Sequence, residues 1–384
     1  MTSVYLDHAA TSFPKPEGMS QRIKTYLDTV GATINRSTYQ RARDAEWVTY
    51  SLRKHLAAFF HFPEDPSHVI LTPGATYGLN LILKGFLKPG DHCLVSGMEH
   101  NAVMRPLQQL SQLGVSFDRI PCDLDGRLNP ADILPLLRPN TRLVMLSHGS
   151  NVCGTVQDAA AVGELCAARG VAFALDAAQT AGHLSVDFSA FHLSALAVPG
   201  HKGLLGPAGI GAVLLTPAFA RELDPLVTGG TGSVSDSELP PLCLPDRFEP
   251  GTPNLPGIYG LEFSLQYLET VGLETIMAHE NALTAQFLQG LRGLSGIRLA
   301  GISGPAGRTG VFSLDFPGRD NAEVADELET RYGILTRCGL HCAPSAHKTL
   351  GTFPQGTVRF SLGFSTTAAE VDAALAAIRA VRKA

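Results

Sequence analysis

Four short stretches carry side chains whose types and spacing suit covalent chemistry. RCGLHCAPSAHKTLG (337–351) sets Cys338, His341, Cys342, His347 and Lys348 among turn-forming residues. Cysteine is among the residue types most often buried, so a cysteine in a polar Gly/Pro loop points to a thiol kept accessible for reaction, or else to a loop cysteine with no role. VPGHKGLLGPAGIG (198–211) puts Lys202 at the exit of an apolar run, between glycines that allow close backbone approach. Burial lowers a lysine's pKa, and the neutral amine forms Schiff bases; the plainer reading is a surface-loop lysine. ALDAAQTAG (174–182) ends an apolar run on Asp176, a carboxylate suited either to a cationic ring nitrogen in a ligand crevice or to a helix N-cap. HVILTPGATYGLN (68–80) reads as strand, glycine turn and helix start. There Gly74, Ala75 and Thr76 offer N–H groups and a hydroxyl to a phosphate, unless this is an ordinary β–α turn.

Order adds what each piece lacks. An anion-type loop, then a strand-end Asp, then a glycine-flanked Lys is the layout of a pyridoxal phosphate site. The loop holds the phosphate, the Asp keeps the pyridinium protonated and the Lys holds the aldehyde.

These residues need rigid elements. HVILT (68–72), DHCLVS (91–96), TRLVMLS (141–147), VAFALD (171–176), SALAV (194–198) and GIGAVLL (209–215) read as buried strands. Between them lie helical patterns such as ATYGLNLILKGF and VQDAAAVGELCAARG, the second closed by Gly170. Such alternation predicts right-handed crossovers and a mostly parallel sheet. Residues 217–256, rich in Gly, Pro, Ser and Thr, read as an inter-domain or active-site loop. A long helix is expected over 257–293, then strands VFSLDF (311–316) and TVRFSL (357–362) around a helix at 320–332. Thr367 and Glu370 form a capping box for a last helix with the apolar stripe Val371, Ala374, Leu375, Ile378 and Val381. The expected division is a large α/β domain over 1–256 and a smaller α+β domain over 257–384 carrying loop 337–351. Residues 1–15 are free to pack on the small domain.

Composition bounds the alternatives. The 384 residues are 45% hydrophobic, enough for a large core and roughly two to three domains. A net charge of -5 argues against nucleic acid or an anionic membrane as main partner. MTSVYLDHAATSF lacks the basic-then-apolar pattern of a signal peptide, and no apolar run reaches ~18 residues. Seven irregularly spaced cysteines fit free thiols in a reducing, cytoplasmic compartment. With no CxxC pair, no structural metal is expected.

The chain resembles the class V aminotransferase family and, within it, the SUF-type (group II) cysteine desulfurases. The resemblance runs through YLDHAAT (5–11), GATYGLN (74–80), MEHNA (98–102), SNVCGT (150–155), DAAQTAG (176–182), GHKGLLGP (200–207), DRFEPGTPN (246–254), GLHCA (339–343) and TVRFSLG (357–363). It implies the fold-type I architecture of pyridoxal-phosphate (PLP) transferases and a homodimer with its site at the subunit interface. It implies Lys202 as the Schiff-base lysine and Asp176 at the pyridine nitrogen. Gln179 is implied at the ring oxygen, His100 on the ring face, and Asn151 near the ring oxygen and the substrate carboxylate. Ala75, Thr76 and His201 would bind the phosphate, with Thr252 reaching in from the partner subunit. Arg359 would clamp the substrate carboxylate, and Cys342 would accept sulfur as a persulfide. Its thiolate fraction is expected to gain from Arg337, His341, His347 and Lys348. The implied reaction turns L-cysteine into L-alanine and passes sulfur to an acceptor protein or reductant. Iron–sulfur cluster assembly, thiolation and selenium supply all stay open as the pathway. Selenocysteine lyase is the alternative, ahead of another class V aminotransferase or β-lyase, with a non-catalytic PLP-fold protein last. Two departures stand out. Pro199 occupies a position where the family usually has a hydroxyl donor to the phosphate, and Ala75 another where a hydroxyl residue is common. Cys338 lies outside the family pattern and reads as a bystander rather than a resolving thiol.

Overall fold

The computed structural model describes residues 3–35, 37–234 and 236–382. Strand β1 (Val4–Tyr5) opens the chain, followed by helices α1 (Met19–Thr25) and α2 (Gln40–Phe59). The main sheet uses β2 (Val69–Thr72), β3 (His92–Ser96), β4 (Ser116–Ile120), β5 (Thr141–Ser147), β6 (Ala172–Asp176), β7 (Ala195–Pro199) and β8 (Gly211–Leu215). Helices α3 (Ala75–Phe86), α4 (Asn101–Ser111) and α5 (Ala159–Arg169) are interleaved, and α6 (Pro217–Glu222) follows. The strand order is β2-β8-β7-β6-β5-β3-β4, and only β8 runs against its neighbours.

Both faces of this sheet are covered, which explains its continuous apolar strands. In β5, Val144 and Leu146 enter one core and Leu143 and Met145 the other. Strand β4 escapes the sequence reading because SFDRI is half-polar, and it pairs only with β3 at the sheet edge.

The predicted helix over 257–293 is two, α7 (Leu255–Val271) and α8 (Leu273–Leu291). The break is Gly272, whose φ of 82° is left-handed and suits glycine. Helix α7 packs on α2 and puts Leu255, Ile258 and Leu261 into the large core. We therefore place the change of domain inside α8 rather than at 256, since Leu283, Phe287 and Leu288 of α8 belong to the second core.

That second core lies on an antiparallel sheet ordered β12-β13-β10-β9: β9 (Arg298–Ala300), β10 (Val311–Asp315), β12 (Arg337–Gly339) and β13 (Thr357–Ser361). Helices α9 (Asn321–Tyr332) and α11 (Ala368–Val381) cover it together with α8, while α10 (Pro344–Thr349) follows the cysteine loop. The Thr367–Glu370 capping box is present, and the five residues of the α11 stripe are buried. Strand β1 pairs in parallel with β11 (Ile334–Leu335), and Leu6 is fully buried in this second core.

Candidate active site

The carboxyl ends of the parallel strands meet at one edge of the main sheet, where ligands of open α/β folds bind. A cavity of about 430 Å³ opens there. Its lining includes Gly74, Ala75 and Thr76 after β2, His100 after β3, and Asn151 after β5. Asp176 and Gln179 come from the end of β6, and Pro199, His201 and Lys202 from the end of β7. One anion cradle, one carboxylate and one amine therefore face a common space.

Burial sets the charge of each group. The Lys202 amine is pushed down to about 8 by loss of water, with Arg359 and Arg337 adding to the shift and Asp176 and Asp7 opposing it. Asp176 is raised from the usual carboxylate range by burial, against the N–H of Ala178, which it accepts at 2.9 Å, and the Lys202 charge. His100 and His201 are held at about 4, chiefly by burial and then by Lys202, so both rings are neutral near pH 7. His100 caps α4: its Nδ1 accepts the Ala102 N–H at 3.0 Å, which leaves the proton on Nε2.

The cradle is built from close backbone approach. A Cβ on Gly211 would lie 2.9 Å from the Gly74 Cα and 2.5 Å from the Val198 carbonyl oxygen. Pro199 lines the cavity without an N–H or hydroxyl to donate. The donor set fits pyridoxal phosphate nonetheless: the α3 N-terminus and Thr76 for the phosphate, Asp176 for the ring nitrogen, Lys202 for the aldehyde.

Three expected residues do not line this cavity. Thr252 borders a second cavity of about 360 Å³ that shares Pro73, Tyr77 and Gly209 with the first. Its loop is pinned by Glu249, which accepts both Nη groups of Arg53 at 2.7 Å and the Leu71 N–H at 2.6 Å. Arg359 is 2% exposed and sits behind the cavity, donating to the Asn151 carbonyl at 3.1 Å and to Asp7 at 2.6 Å. Cys342 is exposed in a groove that shares Thr76, His100 and Ala102 with the main cavity.

The cysteine loop is held from across the domains. The Asn101 N–H at the start of α4 donates to the Cys342 carbonyl at 2.8 Å, and the Asn151 amide donates to the His341 carbonyl at 2.6 Å. His341 and Cys342 both have left-handed backbone, φ 48° and 57°, a conformation that costs non-glycine residues on the order of 1 kcal/mol each. The two cross-domain hydrogen bonds hold that turn.

The charge expected around Cys342 differs from the one found. His341 and His347 are buried, and burial drives them to about 2 and 4, so they bring no positive charge near pH 7. The cations left in the loop are Arg337 and Lys348. Cys338 is exposed on β12, one residue from Arg337 and so on the opposite face of the strand.

Two groups were passed over in the sequence. Asp7 lies in YLDHAAT but had no role, because its partners Arg337 and Arg359 are more than 300 positions away. Glu99, beside His100, is fully buried and raised to about 7 by that burial, while accepting from Ser96 and Ser147. An acid next to an apolar run was its only signal.

A family model described as Aminotransferase class-V matches residues 4–374. The chain is 33% identical over 382 residues to a protein of Vibrio cholerae named probable cysteine desulfurase, covering 98% of this chain and 92% of that one. It is 32% identical over 373 residues to a protein of the same name from Methanothermobacter thermautotrophicus, covering 96% and 92%. A solved apo structure of cysteine desulfurase from Thermococcus onnurineus NA1 matches with a TM-score of 0.93 at 30% identity, over 99% of this chain and 95% of that one.

Proposed function

The chain belongs to the aminotransferase class-V family, and on that footing we propose that it is a PLP-dependent cysteine desulfurase acting as a homodimer. Its fold is the fold type I of PLP transferases. The observation that carries the reading is Cys342, held on a left-handed turn by Asn101 and Asn151 beside a cavity that contains Lys202 and Asp176.

Pyridoxal phosphate, when bound, supplies an electrophilic carbon for amines and a ring that stores the electrons released at the substrate Cα. The chain's residues do the rest. The α3 N-terminus, Thr76 and His201 would hold the phosphate, with Thr252 of the other copy reaching in. Gln179 and Asn151 would hold the ring oxygen, His100 would cover the ring, and Asp176 would hold the ring nitrogen in its protonated, electron-accepting form. Lys202 has a pKa of about 8, so a usable fraction is neutral at physiological pH to take the Cα proton and later return it. Arg359 holds the substrate carboxylate with the directional hydrogen bonds a guanidinium supplies. The Cys342 thiolate attacks the sulfur of L-cysteine, so that an S–S bond forms as the Cβ–S bond breaks. Protonation at Cβ completes L-alanine, and the persulfide on Cys342 passes its outer sulfur to an acceptor thiol. Exposed apolar side chains, Trp47 on α2 and Leu239 and Leu242 in the loop between α6 and α7, support a second copy covering apolar surface.

The test incubates the purified protein with L-cysteine, counts alanine and locates the sulfur adduct by mass spectrometry. The reading requires alanine in step with sulfur delivered to an added thiol, and the adduct on Cys342. An adduct confined to Cys338, or no alanine at all, ends it.

A further inference from the structure

Arg359 is expected to bind the substrate carboxylate, yet its guanidinium already holds one. Its Nη2 donates to Asp7 Oδ1 at 2.6 Å and its Nη1 to the Asn151 carbonyl at 3.1 Å, while its Nε is buried without a partner. The second Asp7 oxygen lies 3.3 Å from Arg337 Nε. Arg337 and Arg359 stand directly opposite each other in the β12–β13 register. Among the described residues Asp7 is the one acid in an ion pair with either arginine. Two guanidinium groups therefore share one carboxylate, leaving one positive charge unmatched. The missing partner has the charge of one amino-acid carboxylate.

The two arginines differ in setting. The Arg359 side chain is 2% exposed and the Arg337 side chain 52%. The Asp7 backbone is fixed on both sides. Leu6 donates to the Leu335 carbonyl and accepts from Ser361, and the Asp7 carbonyl accepts from Ala10 and Thr11. The same N-terminal segment ends on the cofactor side of the site: Thr11, Ser12 and Lys15 donate to the carbonyl of His201, the residue before Lys202. A change of partner at Asp7 is thus a side-chain rotation over a fixed strap.

We propose that Asp7 is an internal stand-in for the substrate's α-carboxylate, seated on Arg359 until substrate arrives and then shifted onto Arg337. The proposal rests on the reading of the site as one for an amino acid. With substrate bound, two carboxylates face two guanidinium groups, and the buried Arg359 is not left without a carboxylate partner. Asp7 keeps a charged partner throughout, and the cost of displacing it raises the apparent KM.

The variant Asp7→Asn separates a competitor from a support. As a competitor, loss of its charge lowers the KM for L-cysteine about fivefold to tenfold; as a mere support for Arg359, its loss raises KM. Arg337→Gln removes the second seat, so KM rises about fivefold in the wild-type background and does not change in the Asp7→Asn background. Arg337 is half exposed, so this variant tests the proposal whether or not Asp7→Asn folds. Calorimetric titration of each holoenzyme with acetate reads the carboxylate seat without any turnover. Tighter acetate binding by Asp7→Asn is the expected result. Weaker or unchanged binding, or an Arg337→Gln effect that persists without Asp7, overturns the proposal. Wild type that binds acetate in this pattern but makes no alanine from L-cysteine would refute the desulfurase reading while leaving the stand-in intact.

Discussion

Lys202 leaves the end of β7, inside a seven-stranded sheet covered on both faces, whereas Cys342 sits between β12 and α10 on two successive left-handed residues. Dry surroundings give the amine its low pKa, and such surroundings exist only where a large core meets a strand end. The thiol, which in the proposed reaction meets a substrate and then an acceptor, is exposed, and its position depends on a few hydrogen bonds to the other domain. One reactive group is tuned by burial and the other by presentation.

Replacing the two groups should break the site in different ways. Lys202→Ala and Cys342→Ala should each cut alanine formation from L-cysteine by about 1,000-fold or more. Borohydride reduction should still fix the cofactor to Cys342→Ala but not to Lys202→Ala. Full turnover by Cys342→Ala would remove the thiol from its side of the comparison.

Arg359 joins the two regions, since it donates to Asn151, which holds the cysteine loop, and to Asp7, in the N-terminal strap that runs to the His201 carbonyl beside Lys202. Arg359→Ala should weaken amino-acid binding by on the order of 2–4 kcal/mol. An unchanged KM would show that another residue holds the carboxylate.

Burial of Lys202 should also appear in stability. Its folded pKa is about 8 against the 10.5 of an ordinary lysine. Below about 8 both folded and unfolded chains carry the proton, and the folded protein bears the full cost of a buried charge. Between about 8 and 10.5 the unfolded chain binds more protons, so this group makes stability rise with pH across that window. Apo Lys202→Met should therefore be more stable than apo wild type at neutral pH, by on the order of a few kcal/mol, with the gap closing toward pH 10.5. Equal denaturation midpoints for the two proteins at pH 7 would mean that the amine is hydrated.

The smallest effect belongs to Cys338. It lies on the opposite strand face from Arg337, so Cys338→Ser should change desulfurase turnover by less than about twofold, as for an ordinary surface substitution. A large loss would mark it as a second thiol in sulfur transfer.

Much of this arrangement was legible in the chain. The runs ending at Thr72, Ser147 and Asp176 are strands, Ala75–Phe86 is the predicted helix, and Gly170 closes α5 with left-handed geometry. Period and punctuation are local, so the sequence displays them. Strand β4 was missed because an edge strand has a half-polar pattern, and α7 and α8 ran together because one glycine is a weak break in an apolar helix pattern.

What the sequence by itself determined is the set of reactive groups and the elements that carry them: Lys202 after one strand, Asp176 after another, the phosphate-type turn after a third, and Cys342 in a loop. What only the tertiary structure decided is which groups meet and what charge each carries. His341 and His347 looked cationic in the sequence and are neutral in the fold, because loss of water outweighs their intrinsic basicity. Asp7 looked idle and is paired with Arg359, 352 positions away. Contacts across that separation, and the dielectric around each group, arise only when two cores close on one another.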